Sequence, residues 1–437
     1  MGRGDLVDKP LQPRRAAAIT LKARFVFPVA SDPIHDGEVA IAGGRIRAVG
    51  RRLAQGPTLD LGNVAILPGF VNAHTHLEFS YLRQPLGGQA VGFVDWIRLV
   101  MASRSNRPEP VERSVARGIE EAIKSGATTL GEIARPEAPP LPPQPAGCGL
   151  TVFLELIAPT ADRASEAMAA ARRHLALADR AEGWRVGLAP HAPYSVHPEL
   201  LATVVRRLAG PGSGVPLAFH LAESREEMEF LESGTGPFRE LLSAVPGWKE
   251  GMIARGTRPA DYVRLLSPAE RTLLIHGNYF ADEEIALVAE GRGRMSVVYC
   301  PRTHAHFAHP DYPLGKLFAA GVRVALGTDS RASSPDLNML AEIRFAARRH
   351  PNVPRPDILR MATLHGAEAL GIAAATGSIT PGKQADLAIL RLPDRDAADP
   401  HDLLFDADEP VVGTWVRGVP VAAHRLASAG GAWREFA

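Results

Sequence analysis

Short apolar runs that end in polar residues recur along the middle of this chain, and a stretch with apolar residues at three- to four-residue spacing follows most of them. Runs of the first kind are typical of buried parallel strands, and the second spacing predicts helices. We predict strands over residues 65–79, 127–133, 151–158, 185–194, 216–224, 272–280, 295–302 and 322–330. Helices are predicted between them over residues 111–124, 161–178, 198–208, 224–232 and 281–290.

Eight strands, each followed by a helix, is the count of a (β/α)8 barrel, which places its active site at the C-terminal ends of the strands. A doubly wound open sheet is the alternative. It would not bring the ends of the first, fifth, sixth and eighth strands to one point. We therefore predict an α/β fold built on a (β/α)8 TIM barrel over residues 67–371.

The two ends of the chain show short β-like runs separated by turn signals. Neither end alone has enough strands for a stable sheet, so we predict one composite β-sandwich domain from residues 1–66 and 372–437. Residues 1–15 lack a continuous apolar core, so we expect a disordered leader rather than a signal peptide or a membrane span. The proline-rich stretch 135–147 is expected to be an ordered surface loop.

Composition narrows the function. The chain has 437 residues, 46% of them hydrophobic, and a formal net charge of +1, so no global field attracts nucleic acid or a membrane surface. The two cysteines, Cys148 and Cys300, lie far apart in sequence, which argues against a disulfide framework and fits a reducing compartment. We expect a cytoplasmic protein with a small-molecule substrate.

A His-x-His sequence ends the first predicted strand. Residues two apart on a strand share a face, so His74 and His76 can present two imidazoles to one metal ion while Thr75 faces the barrel wall. For an isolated His-x-His, a pair of ordinary surface histidines is the alternative. The buried strand before it and further candidate ligands downstream favour a metal site.

Three further polar residues, His220, His276 and Asp329, end predicted strands. Each alone could be a core histidine bonded to the backbone or an aspartate that caps a turn. Their joint position at strand ends favours one site. Three imidazoles, from His74, His76 and His220, with the Asp329 carboxylate make a donor set that suits zinc, iron or manganese and leaves a position open for water.

Together these motifs resemble the amidohydrolase superfamily, in the branch of cytosine, adenosine and S-adenosylhomocysteine deaminases with guanine deaminase, aminofutalosine deaminase and atrazine chlorohydrolase. The resemblance rests on His74-Thr75-His76, His220-Leu221-Ala222-Glu223, His276 and Gly327-Thr328-Asp329-Ser330. It covers nearly the whole chain and implies a distorted barrel with a composite β-sandwich.

The resemblance also implies that the metal ligands are His74, His76, His220 and Asp329. The fourth strand carries His191 and lacks the lysine that binuclear relatives carry there, which favours one divalent ion. Zinc is expected first, with iron or manganese as the alternatives. A homodimer is a further hypothesis, because dimers are common in the resembling families.

Three residues are predicted to be catalytic. Asp329 would accept a proton from the attacking water. Glu223, three residues after His220, would deliver a proton to a ring nitrogen and then to the leaving amine. Relatives that deaminate carry a glutamate here, whereas some relatives that displace halide lack it. The alternative is that Glu223, like its helical neighbours, only complements the helix dipole. His276 would hydrogen-bond the water or the tetrahedral oxygen.

Five residues are candidates for substrate contact, with less specific signals. His191 is placed against the substrate by the resemblance. Glu78 could line the pocket or bond backbone amides at its rim, and Trp96 could stack on a base or pack in the core. His304 stands where many relatives have asparagine. Ser330 follows Asp329 on a loop expected to face the substrate.

We therefore predict a metal-dependent hydrolytic deaminase that converts an exocyclic amine of a purine-like heterocycle to a carbonyl and releases ammonia. An aminofutalosine or adenosine derivative ranks first as substrate. One alternative is a hydrolase of the same fold that opens a cyclic amide or displaces a halide. The other is a non-catalytic binding protein that has kept the barrel.

Overall fold

The structure is a computed structural model that describes residues 18–53, 55–136, 148–178, 184–291 and 293–423. The predicted leader at residues 1–15 and most of the predicted proline-rich loop lie outside these residues. Both cysteines are buried and free. Among the described helices, none is long and apolar enough to cross a bilayer.

Eight parallel strands follow one another in chain order around the centre of the molecule. Each pairs with the next in parallel register, and a bridge between Thr75 and Asp329 joins the first strand to the eighth. The predicted barrel is therefore confirmed. Its strands, from first to eighth, are Phe70–Thr75, Ala127–Ala134, Gly149–Leu156, Trp184–Pro190, Pro216–Leu221, Arg271–His276, Met295–Tyr299 and Val324–Leu326.

Helices occupy most of the connections between these strands. A 3-10 turn at Leu77–Phe79 follows the first strand directly. The α-helices are Phe93–Ser105, Val111–Lys124, Ala161–Leu175, Pro198–Leu208, Arg225–Ser233, Pro237–Ser243, Pro259–Leu266, Asp282–Glu290, Pro301–His306, Leu314–Ala319, Met339–Arg349, Arg355–Met361, Leu364–Ala369 and Asp402–Phe405.

The two ends of the chain form one further sheet, as predicted. Strand Val64–Pro68 from the N-terminal part pairs antiparallel with Leu387–Arg391 from the C-terminal part, which joins both halves. The sheet has its own apolar core, with Leu21, Ile66 and Trp415 among the buried members. Its strands are Ile19–Val26, Ile34–Ala42, Arg45–Gly50, Thr58–Asp60, Val64–Pro68, Leu387–Arg391, Val411–Val416 and Val419–Ala423.

The strands predicted over residues 151–158, 185–194, 216–224, 272–280, 295–302 and 322–330 run past the observed strand ends, and the first predicted strand is wrong in a further way. The expected strand over residues 65–79 is divided at Gly69, so that Val64–Pro68 belongs to the terminal sheet and only Phe70–Thr75 to the barrel. A side chain at Gly69 would meet Thr128 Oγ1 at 2.1 Å, so only glycine fits where the chain passes between the two sheets. Both halves are apolar, and hydrophobicity alone could not separate them.

The interior of the barrel is an apolar cluster to which every strand contributes. Its members include Phe153, Ala189, Ala218 and Ala325, from the third, fourth, fifth and eighth strands. Alternation along a strand places the residue two positions later on the same face. These apolar residues form what we call the barrel floor. The residue two positions later on the same strand therefore points into the barrel at its C-terminal end.

Candidate metal centre and active site

Three polar residues extend the apolar floor directly upward. Glu155 follows Phe153, His191 follows Ala189 and His220 follows Ala218 at two-residue spacing. All lie at the C-terminal ends of their strands, where barrel enzymes assemble their sites.

The four predicted metal ligands lie in one buried cluster. Single ligand atoms of His74, His76 and His220 all lie within 4.8 Å of one another, and the same holds for His74, His276 and Asp329. The Asp329 Oδ1 atom is 3.5 Å from His74 Nε2 and 3.7 Å from His76 Nε2. The distances match side chains that converge on a common point.

The surroundings of His74 test whether a metal fits. This imidazole is fully buried, and neither ring nitrogen has a hydrogen-bond partner among the described residues. A buried polar ring without partners is costly unless something binds it. Three imidazoles and one carboxylate are a donor set that zinc accepts. The residues present therefore fit a divalent ion.

His220 is oriented by a hydrogen bond on the side away from the cluster. Its Nδ1 lies 2.9 Å from the carbonyl oxygen of His191, which only an N–H can satisfy, so Nε2 keeps its lone pair. Burial, and then the surrounding imidazoles, lower the pKa of His220 well below its usual value. Burial likewise lowers the pKa of His76 to about 3. Both rings are held neutral, the form that ligates metals.

Asp329 is held by its own loop. Its Oδ1 accepts a hydrogen bond from the Ser330 amide at 2.8 Å and its Oδ2 one from the Ser333 hydroxyl at 3.1 Å. The backbone of Asp329 has a φ of 56°, a conformation that is rare outside glycine and typical of strained functional positions. Burial alone would raise the pKa of Asp329, but the imidazoles of His74 and His76 lower it below its usual range.

Glu223 lies beside this cluster with an unusual charge state. It is buried, and its Oε1 is 3.1 Å from His276 Nε2. Burial, then the charges of Asp329 and Glu227, raise the pKa of Glu223 well above its usual value. A carboxyl group that keeps its proton near neutral pH can act as a general acid.

Hydrogen bonds from neighbouring residues hold the backbone that carries Glu223 and His276. Glu227 accepts hydrogen bonds from the amides of Ala222 at 2.9 Å and Glu223 at 2.8 Å, and so holds the turn that carries Glu223. His276 has a left-handed backbone with a φ of 72°, and the Tyr312 hydroxyl donates to its carbonyl at 2.9 Å. Burial lowers the pKa of His276 to about 3.

Two of the predicted substrate contacts adjoin the cluster. The ring of His191 is 4.9 Å from that of His220, and its Nδ1 lies 2.7 Å from the Ser195 hydroxyl. Ser330 is buried, and its amide donates a hydrogen bond to Asp329, one of the predicted ligands. His191 and Ser330 therefore each contact one of the predicted ligands.

Glu78 and Trp96 are engaged within the protein. Glu78 accepts hydrogen bonds from Arg104, at 2.8 Å to Nη2, and from Arg107. The indole of Trp96 donates to the carbonyl of Ala332 at 2.9 Å, and the ring packs against Phe93 and Phe307. The alternative of a packed Trp96 has direct support, and Glu78 bonds arginines rather than backbone amides.

His304 is not brought to the ligand cluster. It lies in the short helix after the seventh strand, and its ring contacts are Tyr299, Tyr312 and His309. Burial lowers its pKa to about 4. His304 is therefore a buried histidine packed among aromatic and imidazole rings.

The sequence analysis missed three residues beside the site. Glu155 and Arg104 lie 3.9 Å apart, and the Glu155 Oε1 is also 3.9 Å from His191 Nε2. The two-residue step from Phe153 could have marked Glu155. The pattern from Ser224 to Glu227 is that of a capping box and could have singled out Glu227, whose amide bonds the Ser224 hydroxyl at 3.1 Å.

Comparison with known proteins agrees with this geometry. The Amidohydrolase family model matches residues 65–421. The chain is 32% identical over 353 residues to aminodeoxyfutalosine deaminase from Deinococcus radiodurans, covering 77% of this chain and 81% of that protein. It is 30% identical over 404 residues to 5-methylthioadenosine/S-adenosylhomocysteine deaminase from Moorella thermoacetica, covering 88% of each.

A solved structure extends the likeness to three dimensions. The crystal structure of an adenosine deaminase from Xanthomonas campestris with bound zinc superposes with a TM-score of 0.76 at 28% identity, covering 93% of each chain. With the match of the family model over most of the chain, these findings confirm the predicted resemblance. The chain belongs to the amidohydrolase family.

Proposed function

We propose that this protein is a hydrolytic deaminase that uses one divalent metal ion and replaces the exocyclic amine of a purine nucleoside derivative with oxygen. The observation that carries the proposal is the buried Glu223 carboxyl group, whose Oε1 lies 3.1 Å from His276 Nε2 beside the ligand cluster and whose pKa is raised. A displacement of halide needs no proton on the leaving group, whereas the loss of ammonia does.

His74, His76, His220 and Asp329 would hold the ion, with zinc ranked before iron and manganese. When bound, such an ion lowers the pKa of water from about 15.7 to roughly 7 and so supplies a nucleophile near neutral pH. Asp329 is suited to take the proton of the attacking water, because it is a carboxylate whose Oδ1 faces the imidazoles of His74 and His76.

Glu223 would complete the proton transfers. Its carboxyl group gives a proton to the ring nitrogen beside the reacting carbon, which lets that carbon accept the oxygen. The proton that Asp329 has taken then passes to the amine, which leaves as ammonia. The proton of the added hydroxyl group returns to Glu223, and the ring is left with a carbonyl. His276, held by Tyr312, would hydrogen-bond the developing oxygen.

The named relatives support the choice of substrate. Two act, by name, on adenine-containing nucleosides, aminodeoxyfutalosine and 5-methylthioadenosine or S-adenosylhomocysteine. We rank aminodeoxyfutalosine first, because the Deinococcus radiodurans protein of that name shares 32% of its aligned residues with this chain.

Ammonia release by the zinc-loaded protein tests the proposal. The panel contains aminodeoxyfutalosine, 5-methylthioadenosine, S-adenosylhomocysteine, adenosine, guanine and cytosine, and the metal content of the protein is measured alongside. We expect ammonia from an adenine nucleoside at about one zinc per chain. Asp329→Asn is the matched control and should release none. A fully metallated wild-type protein that releases no ammonia from the panel would refute the proposal.

A further inference from the structure

Glu155 is a buried carboxylate that the proposed chemistry does not use. It lies at the end of the third barrel strand, directly above Phe153 in the barrel floor, and is 2% exposed. Glu223, the proposed acid, follows the fifth strand instead. The two carboxyl groups therefore lie on different sides of the barrel opening.

The Oε2 atom of Glu155 is buried and accepts no hydrogen bond from the residues that the structure describes. Arg104 Nη2 and His191 Nε2 each lie 3.9 Å from a carboxylate oxygen of Glu155, which is beyond hydrogen-bond distance. Arg104 is already bonded to Glu78 at 2.8 Å. Burial would raise the pKa of Glu155, but His191, Arg104, His76 and Arg135 hold it below its usual value, which favours the carboxylate form.

A buried carboxylate oxygen without a hydrogen bond is costly, and folded proteins rarely keep one unless a ligand or water binds it. The surroundings of Glu155 point to such a ligand. Its neighbour His191 lies 4.9 Å, ring to ring, from the predicted ligand His220. A substrate whose reacting carbon lies at the ligand cluster would therefore extend past His191 towards Glu155.

We propose that Glu155 determines specificity by accepting a hydrogen bond from a sugar hydroxyl of the substrate, an inference that rests on the proposed function. An adenine ring offers acceptors at its ring nitrogens, and its exocyclic amine is the donor that must face Glu223. The donor that a carboxylate at Glu155 needs therefore comes from the substituent on the ring. In a nucleoside that substituent carries hydroxyl groups.

The experiment compares zinc-loaded wild-type protein with Glu155→Gln on two substrates, the best nucleoside of the panel and its 2′,3′-dideoxy analogue. We expect kcat/KM of the variant to fall roughly 10- to 100-fold on the nucleoside and less than about twofold on the analogue. Equal losses on both substrates would show that Glu155 only positions His191 or supports the fold, and would overturn the inference.

Glu284→Gln is the matched control, because Glu284 is also a buried carboxylate but accepts the amides of Ala260 and Ala281 outside the site. It should change both substrates by the same factor. If Glu155→Gln fails to fold or to hold zinc, the two substrates are compared on wild-type protein alone. Equal kcat/KM values for the nucleoside and the analogue would then overturn the inference. A wild-type protein without any ammonia release would instead refute the proposed function.

Discussion

Glu223 and Glu227 are four residues apart in sequence, yet their carboxyl groups have different hydrogen-bond partners and neighbours. The oxygens of Glu227 accept two backbone amides, whereas the carboxyl of Glu223 faces His276. The left-handed backbone of Ala222, with a φ of 53°, turns the chain between the strand and the helix. One glutamate thereby builds the turn and the other stays free for proton transfer.

Glu223→Gln should keep its metal and lose most of its turnover, because an amide cannot release a proton to a ring nitrogen. We expect kcat to fall by roughly 10²- to 10⁴-fold, the usual contribution of a general acid. Zinc content by atomic absorption and ammonia release give the two readouts. Glu232→Gln, on the exposed face of the same helix, is the control and should be unaffected. Turnover near the wild-type rate in Glu223→Gln would contradict the assigned role.

Glu227 should make stability depend on pH. Burial raises its pKa to about 7 from the ordinary 4.5, so the folded chain holds a proton that the unfolded chain has released between these values. Its stabilising contribution is full below pH 4.5 and is lost as pH rises to about 7.

The cost of Glu227→Gln in free energy of unfolding should therefore shrink with rising pH, by about 1.4 kcal/mol per pH unit at most across that window. Chemical denaturation of both proteins at pH 5 and pH 7.5 measures it. A cost that stays constant or grows with pH would show that Glu227 is ionised throughout.

At the scale of single elements, a glycine directly after the eighth barrel strand lets this strand pack closely against the first strand. A Cβ at Gly327 would lie 2.9 Å from both Cβ and the carbonyl oxygen of His74, and 3.2 Å from Cys300 Sγ. The strand can approach His74 only because this position has no side chain. The first and eighth strands, which carry three of the four predicted ligands, meet at this point.

Gly327→Ala should displace His74 and weaken zinc binding by at least about tenfold, a typical effect of disturbing the support of a metal ligand. Competition for zinc with a chromophoric chelator measures the affinity. Gly315→Ala is the control, because a Cβ there meets no heavy atom within 4 Å. Unchanged zinc affinity in Gly327→Ala would mean that the ligands tolerate the shift.

For the whole molecule, the buried cluster couples metal binding to stability. An ion that binds the folded ligands and not the unfolded chain stabilises the folded state, so zinc at one hundred times its dissociation constant should add about 2.7 kcal/mol to the free energy of unfolding. The melting temperature after chelation, and after zinc is restored, gives the measurement. Asp329→Asn should show a smaller zinc-dependent rise, and identical curves with and without zinc in the wild type would refute a metal site at the cluster.

The sequence by itself determined the class of fold and the candidate ligands. Hydrophobic runs and their polar ends report burial and strand ends directly, so the eight strands, the composite terminal sheet and the positions of His74, His76, His220 and Asp329 could be predicted. Strand order then required these ends to meet, because parallel strands of one barrel share an end.

Only the tertiary structure decided the contacts that cross between elements. It divided the first predicted strand at Gly69, packed His304 against Tyr312, paired Glu78 with Arg104 and left the Oε2 atom of Glu155 without a hydrogen bond among the described residues. These outcomes depend on distances between residues far apart in sequence and on backbone angles such as those at His276 and Asp329. Periodicity records which face of an element is buried, but it does not record what that face meets.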